Sequence, residues 1–245
     1  MSTGTVTHAD LARAIQREEF VYYYQPKTSL VTGRVSGAEA LLRWVPADGE
    51  VVPPGEFVPL AEESGAIVEI SRLMFPKLVE DMLIINDVNP ELTTSFNLTA
   101  QDFETEHLVG AIREAVNSYR VDPARLQVEV TEASVLSSDS RGVRENLEAL
   151  SGLGVGLAMD DYGVGYSTID TLSQWPFDIV KLDRGLIQRM ADSEKSTTIV
   201  RSSIRMAHQL GLQVIAEGIE TEAVYHFLMY AACTDAQGFR TARPT

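Results

Sequence analysis

Cysteine is nearly absent from this chain. Cys233 stands alone among 245 residues, so no disulfide can form within the chain and a cysteine-rich zinc site is excluded. Bases are scarce as well: 20 Lys and Arg face 35 Asp and Glu, a formal net charge of −15. That balance opposes non-specific binding to a nucleic acid polymer or an anionic membrane. It leaves room for an anionic ligand wherever a metal or a local base gathers. No apolar run approaches the roughly 18 residues of a membrane span. Residues 1–20 lack the basic-then-apolar pattern of a secretion signal. No linker, low-complexity run or repeat interrupts the chain. The expectation is a soluble cytosolic protein or a cytosolic module of a larger one.

What the chain does have is concentrated in residues 155–183, VGLAMDDYGVGYSTIDTLSQWPFDIVKLD. This stretch reads as strand, charged turn, loop with Gly163 and Gly165, short helix, strand. The first apolar run ends on Asp160 and Asp161. The second, 179–182, carries Lys181 and ends on Asp183. Acids at the tip of a buried strand are costly unless something neutralises them. One reading is an Asx-type turn and helix cap; the other is a divalent cation, which prefers carboxylate oxygens.

The pattern recurs along the chain. Residues 11–16 form a short amphipathic helix with Asp10 as its N-cap. Residues 20–30 and 35–44 read as a hairpin turned at Thr32-Gly33, with Glu39, Leu41 and Arg43 on one strand face. A helix starts at Pro54-Gly55. A longer one over 68–85 is expected to break or kink at Pro76. Strands follow at 93–98, with Asn97, and at 126–131, with Glu129 and then Glu132. Helices are expected over 106–119, 141–150, 193–210 (closed by Gly211) and 222–230. Strand 213–216 leads into Glu217 and Glu220, and a last strand at 233–236 leads into Gln237. Eight strands mostly separated by helices predict a parallel barrel, with one antiparallel pair at its start. The expected division is an extension and short helix over 1–19 and one barrel domain over 20–245.

In such barrels the chemistry sits at the C-terminal strand ends. Glu39, Asn97, Glu129, Asp160, Asp161, Lys181, Glu217 and Gln237 all fall at or near those ends. Five carboxylates and an amide in one cleft repel one another strongly in a low dielectric. Two divalent ions with oxygen ligands, Mg²⁺ or Mn²⁺, would relieve the repulsion and suit in-line displacement at a phosphodiester. Lys181 would orient water or offset developing charge. Its pKa is pulled down by burial and up by the acids. Arg43 reads as a phosphate clamp or as an ion-pair partner of Glu39. Glu132 and Glu220 are either loop caps or supports for the ligands. A barrel lyase of the aldolase or enolase kind is the competing reading of the same acids.

The segments Glu39-Ala40-Leu41-Leu42-Arg43-Trp44, Asn97-Leu98-Thr99, Glu129-Val130-Thr131-Glu132, Asp160-Asp161-Tyr162-Gly163-Val164-Gly165-Tyr166-Ser167, Lys181-Leu182-Asp183, Ala216-Glu217-Gly218-Ile219-Glu220-Thr221 and Gln237-Gly238 occur in one order. In that order the chain resembles the EAL domain family, bacterial phosphodiesterases that hydrolyse cyclic di-GMP. The resemblance spans residues 25–244 and implies a (β/α)₈ barrel of the TIM type with an antiparallel first strand. It implies one or two Mg²⁺ or Mn²⁺ ions held by Glu39, Asn97, Glu129, Asp160, Asp161 and Glu217, with Ca²⁺ inhibitory. It assigns Lys181 to positioning and activating the attacking water, and Glu217 to a ligand or general-base role. Substrate contacts fall to Gln25, Leu41, Arg43, Asp183 and Gln237. Glu132, Glu220, Gly163 and Gly165 fall to the supporting loops. It further implies linear pGpG as product, a homodimer through the loop and helix after Asp161 (about 167–174), and attachment to sensory or cyclase domains. The loop departs from the usual pattern at Tyr162 and Val164, and Thr99 stands where Ser is commoner. A receptor of the same fold that binds the nucleotide without cleaving it is the alternative. Such receptors usually lack several of the acids, and none is missing here.

Overall fold

The computed structural model describes residues 6–47, 49–118, 120–131, 134, 141–163, 169–191 and 193–238. Among these residues, eight strands close into one barrel in chain order. They are β1 Phe20–Ser29, β2 Val35–Trp44, β3 Thr93–Leu98, β4 Leu126–Thr131, β5 Gly156–Tyr162, β6 Ile179–Leu182, β7 Gln213–Ala216 and β8 Asp235–Ala236. From β2 to β8 every neighbour is parallel. β1 runs antiparallel to both β2 and β8, as the initial hairpin requires.

The sequence alternation decides which side chains enter the barrel. On β4, Val128 and Val130 join the large core between sheet and helices, while Glu129 lies between them on the inner face. Val180 and Leu182 bracket Lys181 in the same way on β6. Beneath the inward acids, Ala158, Ile179 and Ile215 form a small separate apolar plug. A second core joins the first helix, His8–Gln16, to β1, β2 and the helices Pro54–Ser64 and Ala66–Val88, through Leu11, Phe20, Trp44, Phe57, Ile70 and Met74.

Several local expectations are corrected. The first helix begins earlier, with Thr7 as N-cap and Asp10 closing a capping box from the third helical position. Pro76 does not end its helix, which runs from Ala66 to Val88. The lost hydrogen bond is outweighed by burial of Ile70, Met74, Phe75, Leu78, Val79 and Met82. Asp160 and Asp161 do not form a turn after the strand; β5 continues through them to Tyr162. The β5–β6 register slips between Met159 and Tyr162, and Asp161 takes a left-handed φ of 58°. A bulge of this kind redirects side chains at a strand end. The helix closed by Gly211 is capped by Leu210, and Gly211 follows it at φ 79°. Short helices at Ala100–Glu104 and Arg184–Gln188 were not expected, and β8 is limited to Asp235–Ala236.

Candidate active site

The C-terminal strand ends converge on Lys181. Its ammonium meets Glu129 from β4, Glu217 at the end of β7 (2.7 Å), Asp160 from β5 (3.2 Å) and Glu39 from β2 (3.3 Å). Lys181 is 1% exposed and Glu129 is fully buried. Asn97 Nδ2 donates to Glu39 Oε1 at 2.8 Å, and Gln237 Nε2 donates to Glu39 Oε2 at 2.6 Å and to Gln25 Oε1 at 3.1 Å. The cross-strand register explains the meeting. Gln25 pairs with Glu39, Asn97 with Glu129, and Thr131 with Asp160.

These contacts separate the acids electrostatically. Burial pushes Glu39 up, but the Lys181 ammonium and the Gln237 and Asn97 amides outweigh it and hold the carboxyl down at about 2. Burial and the nearby Glu39 charge raise Glu129 to about 7, against the pull of Lys181. Burial also raises Glu217 to about 8; Lys181 opposes this, and Asp160 and Glu39 add to it. Asp161 is raised by burial and by Asp160 and Asp183. Burial works against the charge on Lys181, yet its four acidic neighbours drive its pKa well above the ordinary value.

Two buried oxygens here have no hydrogen-bond partner, Glu129 Oε1 and Gln237 Oε1. Orphaned acceptors beside several carboxylates are a donor set short of positive charge. Among the described residues no three acids already close on a common metal-sized point; they close on the Lys181 ammonium instead. The all-oxygen set of Glu39, Asn97, Glu129, Asp160, Asp161 and Glu217 fits a hard divalent cation.

The cleft has two parts. A polar cavity of about 190 Å³ is lined by Gln25, Glu39, Leu41, Asp160, Glu217 and Gln237, and by Arg184, Gly218, Glu220 and Gly238. A more apolar recess of about 400 Å³ runs from Asn97, Asp160 and Asp161 down between the barrel and the helices Pro54–Ser64 and Ala66–Val88. Tyr22, Ser71 and Asp102 line it, and Asp102 Oδ1 is buried without a partner.

Other expected residues are placed differently. Arg43 lies over the Tyr23 ring at 5.7 Å, donates to Leu42 O and lines neither cavity. Asp183 Oδ1 caps the helix Arg184–Gln188 by accepting from Leu186 N. Gly163 takes φ 102° against Leu186, where a Cβ would meet Cδ2 at 2.9 Å. Glu220 sits at the rim in an ion pair with Arg184. Glu132 and Gly165 lie outside the described residues. Sequence reasoning missed Arg184 and the buried Lys27, which donates to Ser95 Oγ and Gln127 Oε1 inside the barrel. The period of two places Lys27 on the same face as Gln25, a signal that was available.

A family model described as "EAL domain" matches residues 8–244. The chain belongs to the EAL domain family. It is 36% identical over 236 residues to the bifunctional diguanylate cyclase/cyclic di-GMP phosphodiesterase MucR of Pseudomonas aeruginosa, covering 96% of this chain and 34% of MucR. It is 31% identical over 236 residues to the cyclic di-GMP phosphodiesterase RocR of the same organism, covering 96% of this chain and 60% of RocR. The solved MucR phosphodiesterase in complex with c-di-GMP superposes with a TM-score of 0.89 at 36% identity, covering 97% of this chain and 96% of that one. This EAL chain thus spans about a third of MucR's length and 60% of RocR's. No helix among the described residues is long and apolar enough to cross a membrane.

Proposed function

We propose that this EAL domain is a divalent-metal-dependent phosphodiesterase that hydrolyses cyclic di-GMP to linear pGpG. The observation that carries the reading is the ring of Glu39, Glu129, Asp160 and Glu217 around Lys181, with Asn97 and Gln237 hydrogen-bonded to Glu39. Mg²⁺ or Mn²⁺ bound to Glu39, Asn97, Glu129, Asp160, Asp161 and Glu217 would stabilise charge on the attacking and leaving oxygens of an in-line displacement. The similarity to named cyclic di-GMP phosphodiesterases supports the substrate.

The chain's own groups divide the remaining work. Hydrolysis adds one water across a P–O3′ bond, leaving a 5′-phosphate and a free 3′-hydroxyl. Lys181 stays protonated among its acids, so it acts by donating hydrogen bonds to water and to developing negative charge, not by accepting a proton. Glu217, raised to about 8, is the carboxylate near the water position with the highest proton affinity. Gln25, Leu41 and Gln237 line the polar cavity, where they would contact the sugar-phosphate ring. The apolar recess of about 400 Å³ has the volume for a base. The helix Ile169–Gln174 is the proposed dimer contact. Cytosolic location and attached signalling domains complete the proposal.

The test is hydrolysis of cyclic di-GMP with Mg²⁺, Mn²⁺, Ca²⁺ or EDTA, with Glu39→Ala in parallel. The expected result is pGpG with Mg²⁺ or Mn²⁺, and none with Ca²⁺, EDTA or the variant. Binding without turnover under every metal would replace the enzyme by a receptor.

A further inference from the structure

Two lysines are buried among the described residues, and the carboxylate ring accounts for one of them. The other, Lys27, lies on β1 two residues beyond Gln25 and on the same inward face, 2% exposed. Its register partner on β2 is Gly37, which puts no side chain inside the barrel. A Cβ there would fall 2.3 Å from Thr93 Oγ1, so the strand admits no larger residue. The lysine reaches past this gap to the next two strands. Its Nζ donates to Ser95 Oγ on β3 at 3.1 Å and to Gln127 Oε1 on β4 at 2.6 Å.

Ser95 and Gln127 are register partners of each other. Each stands two residues before a proposed metal ligand on the same strand face, Asn97 and Glu129. Lys27 is thus anchored one layer beneath the ligands, about 7 Å lower along the strands. It lines neither cavity and so does not meet the substrate. Lys181 meets four carboxylates, whereas Lys27 meets neutral groups. The charges that face it act at longer range. Glu129 and Glu39 of the ring attract it, Lys181 repels it, and Asp235 attracts it while accepting from Ser36 Oγ at 2.6 Å. Burial outweighs the attraction and pulls its pKa below the ordinary value. Stability alone does not call for such a residue. A buried charge held by neutral dipoles costs free energy that an apolar chain of the same length would not.

We propose that Lys27 is a positioning residue for the metal site: its buried charge, one layer beneath Asn97 and Glu129, weakens the hold of the carboxylates on divalent cations and keeps those ions exchangeable. The inference rests on the metal-dependent phosphodiesterase reading and deepens it, since Lys27 acts through the ligand layer without touching it. Five acids with one ammonium among them leave a large excess of negative charge. A second ammonium below offsets part of that excess and repels any divalent ion the layer binds. Across one layer of a low-dielectric interior, that repulsion is worth on the order of tenfold to a hundredfold in affinity.

The experiment compares wild type, Lys27→Met, Lys27→Met/Gln127→Leu and the surface control Lys77→Met. Methionine keeps the length of the stem and removes the charge. The single variant leaves Gln127 Oε1 without its donor and is expected to lose stability; the double variant replaces both polar groups and should regain it. Mn²⁺ affinity is measured without nucleotide, by titration calorimetry and by the electron paramagnetic resonance of free Mn²⁺. Melting temperature in EDTA is followed in the same samples. Both Lys27 variants should bind Mn²⁺ about tenfold or more tightly than wild type, and Lys77→Met should match wild type. The gain should persist at high salt, because a buried charge is little screened. Unchanged Mn²⁺ affinity in the double variant overturns the inference and makes Lys27 a strut between β1, β3 and β4. Weaker Mn²⁺ binding in a double variant that melts like wild type also overturns it, since it would make Lys27 a support that holds the ligands in place. Either result leaves the phosphodiesterase reading intact if wild type cleaves cyclic di-GMP. Failure of wild type to bind Mn²⁺ at all overturns both.

Discussion

Replacing Lys181 by Met tests the electrostatics of the ring most directly. The substitution keeps a long unbranched side chain in a site only 1% exposed and removes the one ammonium that touches Glu39, Glu129, Asp160 and Glu217. Breaking a buried ion pair by deleting one partner costs about 3–5 kcal/mol. At about 2–4 °C per kcal/mol for a chain of this size, the melting temperature should fall by about 6–20 °C in EDTA. The sign with pH follows from the acids left behind. Without Lys181 the folded-state pKa values of Glu129 and Glu217 rise further above the unfolded value of 4.5. A raised acid favours the folded state while protonated and penalises it as pH climbs through the folded pKa. The deficit should therefore be small near pH 5 and largest near pH 8.5. Mn²⁺ should restore part of it, because bound cations replace the missing charge. Scanning calorimetry at three pH values, with EDTA and with Mn²⁺, reads all of this. A variant as stable as wild type in EDTA at pH 8.5 would refute the reasoning.

Other outcomes follow from the same geometry. Mn²⁺ affinity should fall steeply on acidification. Glu129 and Glu217, raised to about 7 and about 8, must release protons to bind metal, so below pH 6.5 the slope should approach about two protons per ion. Titration calorimetry in buffers of different ionisation heat checks this, and a flat profile between pH 6 and 8 contradicts it. Gly218→Ala should lower the melting temperature by several degrees, because it adds about 1–2 kcal/mol of left-handed strain and displaces the Arg184 stem; an unchanged melting temperature in scanning calorimetry would contradict this. Phe57→Ala should cost about 3–5 kcal/mol in chemical denaturation, since the fully buried ring packs against Phe20 and Trp44 in the second core.

Much of this arrangement was legible in the sequence where periodicity and length agree. Strands Thr93–Leu98, Leu126–Thr131 and Ile179–Leu182 and the helix Glu222–Tyr230 fall on the residues expected from alternation or helical spacing. The acids could be placed at strand ends because each interrupts an apolar run. The misses have physical causes. Ala100–Glu104 and Arg184–Gln188 are too short for a helical period to emerge. Pro76 obeys the burial of its neighbours more than its own missing donor. Asp160 and Asp161 look like turn residues, and local chemistry cannot reveal that pairing with β4 and β6 carries the strand through them. Alternation puts Arg43 on the strand face of Glu39, but it lies over the Tyr23 ring instead. Nothing local marks Arg184 as a cavity residue, because its place there depends on Gly218, 34 positions later and adjacent only in space.

The antiparallel first strand has a consequence for how the protein is made. β1 pairs along nearly its whole length with β2, close by in the chain, but among the described residues it meets β8 only through Thr28↔Ala236 and Ser29↔Asp235. The ring therefore closes across almost the full sequence, a contact whose loop entropy delays it until the intervening strands are laid down. Gln237 stands one residue beyond that seam and bridges Gln25 and Glu39. The acids of β2, β4, β5 and β7 can gather on Lys181 without β8, but the Gln237 bridge that holds Glu39 against Gln25 forms only when β8 docks.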